Sequence, residues 1–242
     1  MSLPLIASPT SSTNNFRKAR FKLVRSLVDA ILTKQGKCTI LDVGGTPEYW
    51  LAFGNDLLKD ERISISVINI SYSNSTENNV AELQRVQRLT GDARHLDGIA
   101  DKSIDLVHSN SVIEHVGRWA DMSAMASEIR RVGNTHYVQT PYWGFPMEPH
   151  NRSLFFHWFP EQSRYRLVMK KKRGFWPRAN SVDEAMKLVQ SNSLLDRRQF
   201  GALFNTSSIY SEIVYGMTKS LIAVGGANLP IHKASNTRRL RI

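Results

Sequence analysis

Leu41-Asp42-Val43-Gly44-Gly45-Thr46-Pro47 is the stretch that decides how this chain is read. An apolar, β-branched run beginning at residue 39 ends in two glycines, and a threonine–proline pair follows. Such a run has the character of a strand buried on both faces. The glycines let the backbone turn sharply and let another molecule approach it closely. Thr46 stands where a helix N-cap is expected, and Pro47 at a first helical position, where its missing N–H is harmless. The expected product is a helix N-terminus whose free N–H groups suit a carboxylate. A glycine pair alone also fits an ordinary strand-to-helix turn, so the surrounding pattern has to decide.

Moving outward, short runs that are apolar or β-branched on both faces recur at 39–43, 63–70, 86–89, 104–108 and 135–139. Helical patterns at 47–58, 79–83 and 121–132 lie between them. Strand and helix in alternation argue for a parallel sheet with right-handed crossovers and helices on both faces. Before the first strand, Arg20, Leu23, Val24, Leu27, Val28, Ile31 and Leu32 include an apolar stripe at helical spacing, which Gly36 ends. Residues 181–184 form a capping box that opens a helix to about Gln190. A further helix is expected at 195–204, then a closing strand pair at 211–217 and 219–224.

Residues 141–180 follow neither period. They hold five of the nine prolines and three of the five tryptophans, so they read as an irregular insertion covering the substrate side. The expected organisation is a flexible N-terminal arm at 1–15, one domain at 16–228 with this insertion, and a basic tail at 229–242.

A chain of 242 residues, 41% hydrophobic and 22% charged, is long enough to bury a proper core. No apolar run reaches bilayer-spanning length, and the small, polar first residues lack the features of a secretory signal. The single cysteine, Cys38, sits among apolar residues and cannot form an intrachain disulfide. A cytoplasmic location is therefore expected. The net charge of +11 attracts anions. Much of it is concentrated at 164–178, with Arg238, Arg239 and Arg241 at the end. Lys170-Lys171-Lys172-Arg173, with Phe175 and Trp176 beside it, has the composition of a nucleic-acid or anionic-lipid contact, although short basic runs are more often solvated surface.

Further stretches make the pattern specific. The second strand ends at Asn69-Ile70, the third runs into Gly91-Asp92-Ala93, and the fourth, with Asp105-Leu106-Val107-His108, continues through Ser109-Asn110 to Glu114-His115. From about residue 38 to 225 the sequence resembles class I S-adenosylmethionine-dependent methyltransferases, close to the subgroup called methyltransferase type 11. The resemblance implies a Rossmann-like α/β fold with a seven-stranded, mostly parallel sheet whose last strand is antiparallel. It implies S-adenosylmethionine as cofactor and S-adenosylhomocysteine (SAH) as product. Asp42, Gly44 and Gly45 would line the methionine portion. Asn69 would hold the ribose and Ile70 would pack on the adenine. Asp92 would accept from the adenine amino group and Ala93 would donate from its backbone. Ser109 and Asn110 would lie near the sulfonium. The chain departs from the family pattern in lacking a third glycine in the first turn, and in carrying Asn69 where an acidic residue is usual. An amide oxygen still accepts from a hydroxyl. A nicotinamide enzyme would need both missing features, and that reading leaves Gly91-Asp92-Ala93 unexplained.

On the acceptor side the residues after the fifth strand carry the chemistry. Tyr142, Trp143 and Phe145 offer an apolar wall. Glu148 and His150 put a carboxylate beside an imidazole, which suits either acid–base work or bracing of a Pro-flanked loop. Tyr142, Glu148 and His150 are the candidate catalytic residues, while His115 is ambiguous and His157 reads as a core histidine. No metal is required, and no ligand spacing resembles a metal site. The expected function is O- or N-methylation of a small or medium-sized, possibly acidic acceptor. RNA-directed methylation and a non-catalytic binding protein of the same fold are the alternatives.

Overall fold

The central sheet takes its order from the runs read above. The computed structural model describes residues 12–72, 81–226 and 238–241. The strands are β1 (Cys38–Val43), β2 (Ile63–Asn69), β3 (Val86–Thr90), β4 (Ile104–Asn110), β5 (Gly133–Pro141), β6 (Ser208–Val214), β7 (Met217–Gly226) and β8 (Arg238–Arg241). They form one sheet in the order β3-β2-β1-β4-β5-β7-β6-β8. β1 to β5 are mutually parallel, and β7 runs antiparallel to both β5 and β6. The chain winds outward from β1 to β3, then returns to lay β4 on the other side of β1. That reversal opens a crevice at the carboxyl ends of β1 and β4.

The helices are α1 (Ser12–Gln35), α2 (Pro47–Phe53), α3 (Asn55–Lys59), α4 (Ala81–Gln84), α5 (Trp119–Val132), α6 (Glu161–Lys170), α7 (Val182–Val189) and α8 (Arg197–Leu203). On one face of the sheet α1 lays Phe21, Val24, Leu27 and Val28 against Ile40, Val67 and Leu106, with Trp50 and Leu57 from α2 and α3. On the other, α5 and α8 pack Met125, Ile129, Phe200 and Phe204 against Leu41, Val107 and Val138. A fully buried aliphatic side chain contributes roughly 1.5–3 kcal/mol, so these two layers carry most of the folding energy. Arg20 of α1 reaches through its layer to Glu212 of β6 at 3.3 Å, and both side chains are buried.

Several expectations need correction. Residues 12–15, expected as part of a loose arm, are helical in α1, and residues 1–11 lie outside the described set. Residues 238–241, expected as tail, pair in parallel with β6 as an eighth strand. The sheet thus has one strand more than expected, and its antiparallel strand is β7, the seventh. The helix expected at 47–58 is two short helices broken at Gly54, where the Phe21 ring leaves no room for a Cβ. Inside 141–180 the structure places α6, and residues 156–189 build a small third core from Phe156, Val168, Trp176, Ala179, Ala185 and Val189. Of the helix expected at 79–83, residues 79 and 80 lie outside the described set, and α4 covers Ala81–Gln84.

Two buried groups give testable consequences. Burial, reinforced by Asp105, pushes the Cys38 thiol up to about 12, so native protein should not react with a thiol reagent at pH 8 while unfolded protein reacts fully. His136 of β5 is buried against Phe204, with Nε2 2.7 Å from Ser207 Oγ. Burial first, then Lys102 and Arg130, lowers its pKa to about 4. The unfolded chain takes up this proton near the ordinary value of about 6.5, before the folded chain does. Stability is therefore complete above about pH 6.5 and declines by roughly 3 kcal/mol as pH falls toward 4. In urea titrations across that range, His136→Gln should flatten this slope.

Candidate active site

The first turn rests on a buried carboxylate. Asp42, at the end of β1, is 1% exposed, and its two oxygens are taken by His108 Nδ1 at 2.7 Å and Trp50 Nε1 at 2.8 Å. The His108 ring is stacked between Tyr137 and Tyr49. Gly45 lies directly on this group: a Cβ there would stand 1.7 Å from Asp42 Oδ2. Gly44 has φ +73, and a Cβ on it would meet Val112 Cγ1 at 2.5 Å. Both glycines are thus required by the turn itself. Asp42, expected to line the cofactor, braces the turn from beneath, with each of its oxygens accepting within the core. Thr46 occupies the N-cap position with no hydroxyl cap bond, and the helix after it has only seven residues. The free helix N-terminus expected there is correspondingly slight.

Around the crevice the other expected residues divide. Asn69 Nδ2 donates to Gly45 O at 2.8 Å, and Gly91 N donates to Asn69 O at 2.9 Å, so the ends of β1, β2 and β3 are tied together. Ile70, next in line, is 72% exposed, an apolar surface at the position the adenine would use. Asp92 is less available than expected. Arg94 donates to it from its backbone N and forks onto both its oxygens at 2.6–3.0 Å, while Arg94 Nη1 holds Asp121 of α5 at 2.7 Å. The Arg94 hydrogen bonds hold the Asp92 carboxyl below its usual range. Adenine recognition there would require the guanidinium to yield. Ala93 packs partly buried on the main core. Ser109 is fully buried and donates to Val43 O at 3.1 Å, so it stitches β4 to β1. Asn110 is half-buried at the carboxyl end of β4.

The loop after β5 is more tightly built than its prolines suggest. A small hairpin joins Met147 to Leu154, with Glu148 inside it. Glu148 is 1% exposed; its Oε2 accepts from the His150 and Asn151 backbone N–H groups, and its Oε1 lies 2.7 Å from His150 Nδ1. Glu148 therefore braces the backbone and orients the His150 imidazole. Burial opposes protonation of His150, but the hydrogen bond and charge of Glu148, with the charge of Glu114, outweigh it and raise its pKa. Tyr142 packs its ring against the core and closes over Gly144. Trp143, expected in an apolar wall, is exposed together with Phe155, Trp158 and Phe159. His157 and Trp158 both donate to Trp143 O, so His157 is a half-buried brace of this aromatic surface. Positive φ angles at Ser111, Arg152 and Phe155 cluster around these loops, as backbone strain often does at functional sites.

Beside this loop the fold assembles what the sequence pattern concealed. Glu114 and His115, after β4, meet His150, after β5, with one potential ligand atom from each within 4.8 Å of the others. The His115 and His150 rings meet edge to face at 4.6 Å. Residues after α7 close over the group: Ser193 N donates to Glu114 O, and Ser191 O lies 2.8 Å from His115 Nδ1. The basic stretch fares differently. Trp176 is buried against Phe156, and the Phe175 ring is covered by Arg152, so its aromatic half is engaged within the protein.

The strand order, with a glycine turn at its reversal, defines a Rossmann-like methyltransferase fold. Residues 51–135 match the family model described as a methyltransferase domain. The CurJ carbon methyltransferase structure superposes with a TM-score of 0.50 at 11% identity, covering 79% of this chain and 49% of that one. The PH0226 protein from Pyrococcus horikoshii OT3 gives 0.49 at 14% identity, covering 89% and 91%. The N-terminal domain of EvdMO1 with SAH bound gives 0.47 at 18%, covering 87% and 81%. No curated protein matches the sequence. Residues 51–135 thus match a methyltransferase domain, and the sheet around them has the fold of such domains. For S-adenosylmethionine, the cofactor that the sequence resemblance implies, the two glycines that admit no Cβ and the exposed Ile70 are compatible features, and the Arg94 clamp on Asp92 is the feature that fits least.

Because the first turn sits on Asp42, Asp42→Ala should cost about 3–5 kcal/mol in chemical denaturation, as expected for breaking a buried, hydrogen-bonded pair. A loss below about 1 kcal/mol would refute the brace.

Proposed function

We propose that the chain methylates an oxygen or nitrogen of a small or medium-sized acceptor, with His150 and Glu148 serving the acceptor and the crevice above Gly44 and Gly45 serving the cofactor. The observation that carries this reading is the pairing of buried Glu148 with half-buried His150, pre-aligned on the loop that leaves β5, next to the crevice between β1 and β4. When bound, S-adenosylmethionine supplies a methyl group already activated on a sulfonium. The protein then has to place the acceptor in line with it and keep water out. A carboxylate only accepts hydrogen bonds, so the His150 Nδ1 hydrogen points at Glu148 and leaves the Nε2 lone pair free to take an acceptor proton. The raised basicity of His150 suits that task.

Asn69 would hold the ribose through its amide oxygen, Nδ2 being spent on Gly45. Ile70 would pack on the adenine, Ala93 N–H would meet the adenine edge, and Gly44, Gly45 and Asn110 would border the methionine portion. Asp92 would contribute only after Arg94 turns away. The exposed surface of Trp143, Phe155, Trp158 and Phe159 gives an acceptor an apolar wall, and the net charge of +11 favours one that is anionic.

Isothermal titration should detect SAH binding, and Asn69→Ala should weaken it about tenfold, corresponding to about 1.4 kcal/mol. No binding by folded wild-type protein would defeat the cofactor assignment. Once an acceptor is found by transfer of labelled methyl, His150→Ala should lower kcat by about 10²–10⁴ while leaving SAH affinity unchanged. An unchanged kcat would remove His150 from the chemistry.

A further inference from the structure

We propose that Glu114, His115 and His150 bind one divalent first-row transition-metal ion. The argument is one of lone pairs. Ser191 O and Glu148 Oε1 are acceptors only, so the Nδ1 atoms of His115 and His150 that face them must both carry hydrogen. Each neutral ring then presents an unprotonated Nε2. Glu114 is fully buried; its Oε2 accepts from Thr140 Oγ1 at 3.0 Å, and its Oε1 is buried with no partner among the described residues. A bare carboxylate oxygen out of water is costly unless a cation meets it. The three groups lie within 4.8 Å of one another, a little beyond the roughly 4.2 Å that two ligand bonds of about 2.1 Å reach in line, so a small inward shift of the side chains closes them on one ion. Imidazole nitrogens with one carboxylate suit zinc, iron, cobalt or nickel better than calcium or magnesium.

The surroundings have the form of an outer coordination shell. Metal-binding histidines usually donate their second ring N–H to a carboxylate or carbonyl, and both do so here. His115 is exposed, so three protein ligands would leave the outer side of an ion open to water or an oxygen of the acceptor. This deepens the methyl-transfer reading and rests on it only for the ion's use. A bound ion would occupy the His150 Nε2 lone pair, and acceptor activation would pass from the imidazole to the ion.

The test uses untagged full-length protein stripped with chelator and titrated with cobalt chloride, without cofactor or acceptor. One cobalt per chain with visible d–d absorption is expected. Binding should weaken at least tenfold in His115→Ala, whose side chain is exposed, and in His150→Ala. Glu148→Gln, acting through His150, should weaken it about 10–100-fold. Binding well below one equivalent, or stoichiometric binding unchanged in both histidine variants, overturns the proposal. SAH titration of the same metal-free sample reads the cofactor site separately, so failure of one assignment is distinguishable from failure of the other.

Discussion

A single buried carboxylate sets the geometry on which the rest of the molecule depends. Asp42 ends the first strand, accepts from an indole of the following helix and an imidazole of the fourth strand, and fills the space beneath Gly45. Three elements that diverge at the reversal of the sheet are therefore fixed to one point. The turn above them cannot carry a side chain without displacing that point. Glycine at this turn is thus a packing requirement first, and the open space above it follows from that requirement.

The same economy recurs along the carboxyl edge. Asn69 links the second strand to the first turn, Ser109 links the fourth strand to the first, and Arg94 ties the third strand's exit to α5. Polar residues at such an edge serve both the framework and a ligand, and the structure shows which are already engaged. Asn69 retains an acceptor, whereas Ser109 is wholly engaged and Asp92 nearly so. In the loop after β5 Glu148 uses two of its bonds to shape the backbone and the third to orient a side chain.

The parallel sheet was legible in the sequence because buried strands such as Cys38–Val43 carry apolar residues on both faces and are separated by helical periods. The first turn was legible because adjacent glycines at the end of such a strand mark a backbone that bends where side chains do not fit. The insertion was not. In α6 only Val168 is fully buried, so Glu161–Lys170 lacks a clear apolar stripe, and its prolines and aromatics mask the small core beneath. Trp176 beside a basic run has the look of a surface residue because sequence cannot show that Phe156 awaits it. The cluster of Glu114, His115 and His150 was hidden for a topological reason. Its members leave adjacent strands on separate loops, and no spacing rule joins them. Asp42 reads as a ligand contact in one dimension because its partner, His108, is near in space only through the pairing of β1 with β4.

The segment between β5 and α8 has its own small core. Its six buried side chains pack on one another and belong to neither layer on the sheet, so substitutions among them act on this segment first and leave the packing of the strands in place.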